Sequence, residues 1–136
     1  MKTLYKTLLL LFAFHFSLFT VKAQEIEWQK TFGGNGDDRL FSIQQTTDGG
    51  YILGGNSYSN ISGDKTENSN GGWDYWIVKT DSMGNIQWQN SIGGSYNDLL
   101  QSIQQTSDGG YILGGYSDSD ISGDKTENTK GGYGEP

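Results

Sequence analysis

Cysteine is absent from this chain of 136 residues, which also contains a single proline and a single histidine. Without cysteine the chain can form neither a disulfide framework nor a cysteine-ligated zinc site. Basic residues are scarce as well, since 9 Lys and Arg stand against 16 Asp and Glu and give a formal net charge of −7. This acidic balance argues against binding to the phosphate backbone of nucleic acids. Glycine, by contrast, is abundant at 21 residues, many of them in pairs between apolar segments.

The first 23 residues have the three-part pattern of a secretory signal peptide. Lys2 and Lys6 precede an apolar run of 13 residues, and Val21-Lys22-Ala23 follows with small residues at the two positions that a signal peptidase reads. The run is shorter than the roughly 20 residues that a membrane-spanning helix needs. We therefore predict a signal peptide over 1–23, secretion or placement at the cell surface or in the periplasm, and no membrane span after cleavage.

Cleavage after Ala23 restricts the chemistry open to the exported region, 24–136. This region loses three lysines, so its formal charge becomes −10, and it loses the only histidine, His15. Nucleophilic mechanisms of the Ser-His-Asp or Cys-His type and histidine-liganded metal sites are then excluded. The sequence therefore predicts no catalytic, cofactor-binding or metal-binding residue here.

The exported region contains two copies of one sequence unit, the first over about 28–87 and the second, shorter one over about 88–136. Aligning 28–73 with 88–133 gives 31 identities in 46 positions at a constant offset of 60. The matched runs include Ser42–Thr46 with Ser102–Thr106 and Ser62–Asn68 with Ser122–Asn128. A period of this length is typical of repeat architectures built from one supersecondary unit.

Each unit is predicted to contain four antiparallel strands, which the first copy places at Leu40–Thr46, Tyr51–Ser57, Asp74–Thr80 and Ile86–Ser91. Asp48-Gly49-Gly50 predicts a hairpin whose two central residues both have positive φ. Gly84 is predicted to take a left-handed conformation in the next turn. Apolar residues on both faces of Asp74–Thr80 indicate a strand covered on both sides. No segment after the signal peptide has a helical period.

This pattern predicts an all-β fold of four-stranded antiparallel β-propeller-like blades, about two in number, the second incomplete. Glu25–Gln29 aligns with Asn85–Gln89, at the fourth strand, and could complete the sheet of a last blade by strand exchange. A β-solenoid is the alternative, although solenoid repeats are generally shorter.

The motifs themselves resemble a known family. They are W-Q-K-T-F-G-G, D-D, S-I-Q-Q-T, D-G-G-Y-I-L-G-G and G-G-W-D-Y-W-I-V-K-T-D-x-x-G-N-I-Q-W. They resemble the sixty-residue repeats of secreted proteins from Bacteroidetes-type bacteria, over nearly all of 25–133. The resemblance implies a β-propeller and export as type IX secretion cargo. The chain differs from that family in having fewer than two repeats and no terminal sorting domain.

The second copy follows the first as far as Gly131-Gly132-Tyr133 and then departs from it at Gly134. Its predicted blade therefore lacks the third and fourth strands. Because a propeller closes with about four to eight blades, we expect an amino-terminal fragment of a longer protein. Assembly of several chains into one ring is the alternative, so missing blades or other copies are expected partners.

Residues that recur in both copies are predicted to belong to the scaffold. Three pairs of aspartates recur at predicted turns, where Asp accepts hydrogen bonds from its own backbone: Asp38 with Asp98, Asp48 with Asp108, and Asp64 with Asp124. The adjacent Asp37 and Asp38 would point apart and so do not form a glycosidase pair. Asp118–Asp124 begins like a calcium-binding loop, with oxygen side chains at alternate positions and Gly123 sixth, although Thr129 stands at the twelfth position, where glutamate is expected. Calcium at this loop and an ordinary polar turn remain the two alternatives.

Positions that differ between the copies are the better candidates for recognition. They include Gly36 against Tyr96, Asn56 against Tyr116, and Tyr58 against Asp118. Trp28 and Trp88 recur in register and are predicted to pack between blades. The other aromatic candidates are Trp73, Trp76, Tyr51, Tyr75, Tyr111 and Tyr133.

These observations predict an exported binding or structural module of the cell envelope or surface without catalytic activity of its own. Its expected partner is an extracellular glycan or protein. The alternative is part of a secreted carbohydrate-active enzyme whose catalytic residues lie in the missing blades.

Overall fold

The computed structural model describes residues 24–130 and places six strands in them. The predicted signal peptide over 1–23 and the residues 131–136, including Tyr133, lie outside this range. The strands are β1 (Asp38–Gln45), β2 (Tyr51–Ser57), β3 (Asp74–Thr80), β4 (Ile86–Ile92), β5 (Asp98–Gln105) and β6 (Tyr111–Ser117). The described residues contain no helix, so the prediction of an all-β chain is confirmed.

The strands form two antiparallel sheets, one in the order β1-β2-β3-β4 and the other consisting of β5 and β6. The predicted bounds of β2 and β3 are confirmed, whereas β1 begins two residues before the predicted Leu40 and β4 extends to Ile92. The hairpins β1–β2 and β5–β6 have corresponding registers, with Gln45 opposite Tyr51 and Gln105 opposite Tyr111. Neither sheet closes on itself or on the other.

Each hairpin contains a β-bulge at the same place in its first strand. The register shifts between Leu40 and Ser42 in β1 and between Leu100 and Ser102 in β5. The extra residues are therefore Phe41 and Gln101. A bulge bends its strand and redirects the side chain of the extra residue.

The hairpin turns differ from the prediction in their backbone conformation. Gly49 has a φ of 84°, but the central residues of the turn are Thr47 and Asp48, so the prediction that an Asp-Gly pair occupies the two central positions was wrong. Gly49 N–H donates to Thr46 O, which makes a tight turn with the left-handed glycine as its last residue. Five residues separate Gln45 from Tyr51, and loops of this length are built around such a turn rather than the two-residue type. The left-handed conformation of Gly84 is confirmed by its φ of 78°.

Residues 25–29 form no strand, contrary to their alignment with β4. Trp28 packs instead against the ring of Tyr51, with centroids 5.7 Å apart, and lies beside Gly84. The segment thus contacts a face of the first sheet rather than an edge, and its backbone is left without a strand to pair with. The corresponding pair, Trp88 and Tyr111, has its centroids 5.6 Å apart and joins the two sheets.

Apolar packing between the two sheets forms the core. Ile52 and Ile77 of the first sheet meet Ile103 of the second, and all three are buried. Leu100 is also fully buried, because Gly54 has no side chain: a Cβ there would lie 2.5 Å from Leu100 Cδ2. The predicted two-sided cover of β3 is confirmed, since neighbours on opposite faces, Trp76, Ile77 and Val78, are all buried.

Polar side chains of the first sheet also bind the backbone of β5. The buried Asn56 accepts a hydrogen bond from Leu100 N–H through Oδ1 at 2.7 Å. Gln44 Oε1 accepts one from Gln105 N–H at 2.8 Å. These bonds fix the position of β5 along the sheet, which hydrophobic contact alone does not do.

Replacing Leu100 by alanine is expected to lower the free energy of unfolding by about 2–5 kcal/mol, since it leaves a cavity between the sheets. The matched variant is Leu40→Ala, at the corresponding position of the first copy, where the leucine is 58% exposed. That change is expected to cost less than about 1 kcal/mol. Urea unfolding of both variants, at a protein concentration at which the chain is monomeric, measures the difference. Equal losses would contradict the inter-sheet packing described above.

Candidate functional site

The recurring aspartates of the hairpin turns act locally, as predicted. Asp48 Oδ1 accepts hydrogen bonds from Gly50 N–H and from the Thr46 hydroxyl. The Thr46 hydroxyl, followed by the Lys79 ammonium, holds the pKa of Asp48 below its usual range. Asp108 makes the corresponding bonds in the second copy. These carboxylates therefore stabilise turns.

Asp38 binds both its local backbone and a distant segment, whereas Asp64 binds a segment 31 residues away, so the prediction of local backbone binding holds in part for Asp38 and was wrong for Asp64. Asp38 Oδ2 accepts hydrogen bonds from Gly34 N–H at 2.7 Å and from the Ser59 hydroxyl at 2.9 Å. Asp64 Oδ2 accepts one from Gly33 N–H at 3.2 Å. The second copy repeats the arrangement with Asp98 and Asp124. Four recurring carboxylates thus hold the Gly-Gly segments against the long loops.

The loop Asp118–Asp124 uses its oxygens in a similar way. Asp120 Oδ1 accepts a hydrogen bond from Thr129 N–H at 3.1 Å. Asp124 Oδ2 accepts from Gly93 N–H and from Asn70 Nδ2, both at 3.2 Å. Across residues 24–130 no three acidic or histidine side chains come together as a metal site. Of the two alternatives for this loop, the geometry therefore favours the polar turn.

Two ionisable side chains are buried near the start of β3: Asp74, the first residue of that strand, and Lys65 in the preceding loop. Asp74 is fully buried; its Oδ2 accepts a hydrogen bond from Asn70 N–H, and its Oδ1 has no partner. Burial raises the pKa of Asp74 to about 6. Lys65, also buried, donates to Ser91 Oγ and Glu67 O, and its pKa is lowered by burial. Because Asp74 Oδ1 has no hydrogen-bond partner, ionisation of this buried carboxyl lowers the stability of the fold.

The candidate site is a cleft of about 380 Å³ where the strands β1 and β5 begin, between the two sheets. We call it the aromatic cleft. It is lined by Arg39, Phe41, Asn56, Trp73, Asn97, Leu99, Gln101 and Tyr116. Clefts of this volume, with aromatic walls and a few polar groups, are typical of small-ligand sites.

Every one of these eight lining residues occupies a position at which the two copies differ. The differing pairs are Asp37 with Asn97, Arg39 with Leu99, Phe41 with Gln101, Asn56 with Tyr116, and Trp73 with Tyr133. Only 15 of the 46 aligned positions differ, so the cleft is drawn from the variable minority. Cross-sheet packing brings both members of three pairs to one place. The cleft therefore carries side chains that the shared scaffold does not require.

The walls of the cleft are ordered by stacking. Arg39 Cζ lies 4.6 Å from the centroid of the Trp73 ring, and Tyr58 packs on the same ring at 5.9 Å. Trp73 N–H donates to Asn97 Oδ1 at 3.2 Å. The bulges direct Phe41 and Gln101 to the same cavity. A guanidinium over an indole is attracted by the ring and presents its N–H groups in a fixed plane.

The predicted recognition residues differ in their position relative to the cleft. Tyr116, 52% exposed, lines the cleft and is available for contact. Asn56 also lines it but is buried and bound to Leu100 N–H, so it acts mainly in packing. Tyr58 supports Trp73 from behind, while Tyr96, 64% exposed, does not line the cleft.

Gly36 and Asp118 lie beside the cleft rather than in its wall. Asp118 N–H donates to Asn97 O at 2.8 Å, and a Cβ on Gly36 would meet the backbone of Tyr58. The prediction overlooked Arg39, Phe41, Asn97, Leu99 and Gln101. Comparing the two copies at every aligned position, and not at a few, would have found them.

Two other concave surfaces are less suited to a ligand. One, of about 250 Å³, lies on the outer face of the first sheet beneath Lys30, Thr31 and Phe32. The other, of about 440 Å³, has Lys130 in its lining, the last described residue. Both mix recurring scaffold residues such as Asp38 or Asp98 into their walls.

Asp74 predicts a specific dependence of stability on pH. A carboxyl whose pKa is raised by folding stabilises the protein below its unfolded pKa near 3.8, and this contribution is lost as pH rises through about 6. We expect Asp74→Asn to remove this loss, so that the variant exceeds the wild type by about 2–3 kcal/mol at neutral pH. Urea unfolding between mildly acidic and neutral pH tests this, with the exposed Glu25→Gln as control. Parallel stability curves for Asp74→Asn and wild type would contradict it.

Residues 24–130 contain no helix that is long and apolar enough to cross a membrane. Comparisons with protein-family models, with curated proteins and with solved structures found no match for this chain.

Proposed function

We propose that this protein is an exported binding module whose aromatic cleft recognises an extracellular glycan. In this proposal the four-stranded sheet is a blade of a β-propeller, and β5 and β6 begin the next blade. The signal-like segment and the sixty-residue motifs support placement at the cell envelope or surface of a Bacteroidetes-type bacterium.

The observation that carries the proposal is the choice of residues in the cleft. The two copies agree at 31 of 46 positions, yet every residue that lines the cleft occupies a position at which the copies differ. Residues needed for turns and packing recur, as Asp48 and Gly54 do. Positions that turns and packing do not constrain can vary, so their side chains can be selected for binding to a ligand.

The chemistry of the lining supports a saccharide. Tyr116 presents an exposed aromatic ring, and such rings stack on the apolar faces of sugars. Arg39 and Gln101 place planar hydrogen-bond donors beside it, suited to hydroxyl oxygens. The formal charge of −10 expected after cleavage disfavours a polyanionic ligand.

The lining also supports binding without catalysis. Among the eight residues that border the cleft there is no carboxylate, histidine, cysteine or lysine. Asp37, close to the lining in sequence, is exposed and forms an ion pair with Arg39 at 3.5 Å. Hydrolysis of a glycosidic bond needs two carboxyl groups at a set separation, which this cavity does not offer.

We expect the purified chain to bind members of a panel of immobilised neutral oligosaccharides, and Tyr116→Ala and Arg39→Ala to weaken that binding by about tenfold or more. The physical reason is the loss of the stacking surface in one variant and of the fixed donors in the other. Affinity can be measured by calorimetry with the best oligosaccharide of the panel.

The matched control is Tyr96→Ala, which removes a tyrosine of similar exposure outside the cleft. Unchanged binding in Tyr96→Ala and a loss in Tyr116→Ala would support the cleft as the site. The reverse result, or binding to immobilised peptides and not to saccharides, would refute the proposal.

A further inference from the structure

The contact between the two sheets has a direction. The first sheet contributes Ile52, Gly54 and Ile77 to it, which we call its front face. The second sheet contributes the opposite surface, its back face, with Leu100 and Ile103. Because both sheets derive from copies of one unit, Leu40 and Ile43 correspond to Leu100 and Ile103, and Ile112 and Gly114 correspond to Ile52 and Gly54. The described second sheet has two strands, so its front face carries no counterpart of Ile77.

The two corresponding faces are only partly covered in the described structure: the segment 30–32 lies over Trp76 and Val78 on the back of the first sheet, while Leu40 and Ile43 of β1 remain exposed. On the back of the first sheet, Leu40 and Ile43 are 58% and 55% exposed, whereas their counterparts Leu100 and Ile103 are 0% and 5% exposed. On the front of the second sheet, Ile112 is 61% exposed, against 0% for Ile52. The same residues are core in one copy and surface in the other.

We propose that these two faces bind each other between chains, so that the front face of the second sheet of one molecule docks on the back face of the first sheet of another. The occupant of each face is therefore a second copy of this chain. The internal contact of the sheets, described above, supplies the geometry of this docking.

Shape supports the proposal. In the internal contact Gly54 provides the gap that Leu100 fills, at 2.5 Å from a Cβ built on the glycine. Its counterpart Gly114 has a single neighbour at that position, Ser102 Oγ at 3.3 Å, so the gap there is open. Leu40 is the residue that corresponds to Leu100 and would fill it.

The polar groups of the internal contact are present on the free faces too. Ser42 and Gln44 accept hydrogen bonds from backbone N–H groups of β5. Their counterparts Ser102 and Gln104 lie on β5 at the matching register, opposite Gly114 and Ile112. One group differs, because Tyr116 replaces Asn56 and removes an amide acceptor from the docking face.

The amino-terminal segment covers part of the back face of the first sheet, where the segment 30–32 shares a cavity with Leu40, Trp76 and Val78. Trp28 covers Tyr51 on the first sheet as Trp88 covers Tyr111 on the second, so the internal contact already includes a tryptophan at this position. Leu40 and Ile43 remain more than half exposed. A contact between two different faces propagates, so the expected product is a closed ring or an open chain of molecules rather than a two-fold dimer.

The test is sedimentation velocity on the full chain from low to high micromolar concentration. We expect species larger than a dimer to grow with concentration in the wild type, and Ile43→Asp or Ile112→Asp to weaken association by about tenfold or more. The matched control is Ile61→Asp, which changes an isoleucine of similar exposure in a loop outside both faces.

Mixing the two variants distinguishes this docking from other modes. Ile43→Asp retains an intact front face and Ile112→Asp an intact back face, so an equimolar mixture should form dimers that neither variant forms alone. That complementation also shows that both variants are folded. Gly114→Val provides a second block without added charge, because it fills the open gap.

Loss of association in both variants, its recovery as dimers in the mixture and an unchanged control would establish the head-to-tail contact. A wild type that stays monomeric throughout the range would overturn it. So would association that persists in Ile43→Asp or Ile112→Asp, or a mixture that stays monomeric. These outcomes are independent of saccharide binding, since neither isoleucine lines the aromatic cleft.

Discussion

Leu100 packs directly against Gly54, and this contact determines how closely the two sheets approach each other. It lets the backbone of one sheet approach the side chains of the other, and the core of Ile52, Ile77 and Ile103 closes around it. Asn56 then reaches Leu100 N–H, and the aromatic cleft opens beside that bond. A side chain at position 54 would separate the sheets, remove the apolar contact and dismantle the cleft together.

Carboxylates provide a second, polar framework that explains the composition. Asp38, Asp64 and their counterparts bind the N–H groups of Gly-Gly segments, whose lack of side chains permits the approach. A Cβ on Gly34, for example, would come within 2.6 Å of Ser59. The abundance of Asp and Gly is thus the consequence of a loop network that occurs twice.

The parts of the fold that could be predicted from sequence are those determined by local chemistry. The strands β2 and β3 have their predicted bounds because alternating apolar residues and glycine-rich turns delimit them on both sides. The left-handed Gly84 follows from its place in an Asp-initiated turn. Features that depend on distant segments could not be predicted in this way. Residues 25–29 form no strand and place Trp28 against Tyr51 instead, and Asp38 binds Ser59 across 21 residues.

The aromatic cleft also depends on distant segments, yet some of its residues could be identified from the sequence. Tyr116 was found by comparing the copies, and the same comparison would have identified Arg39 and Phe41. What it could not provide is the convergence of these positions, which arises because β1 and β5 begin side by side with a bulge in each.

Whether a residue is buried depends on whether another sheet packs against its own sheet, and not on the residue type. Ile52 is buried, whereas the corresponding Ile112 is exposed. Each junction between sheets therefore forms one cleft, composed of both neighbours. Because five aligned positions supply all its walls, substitutions there can change what a junction recognises without disturbing the aspartates and glycines that hold the sheets. Under the proposed function, a repeated scaffold with variable junctions provides related binding surfaces on a common fold.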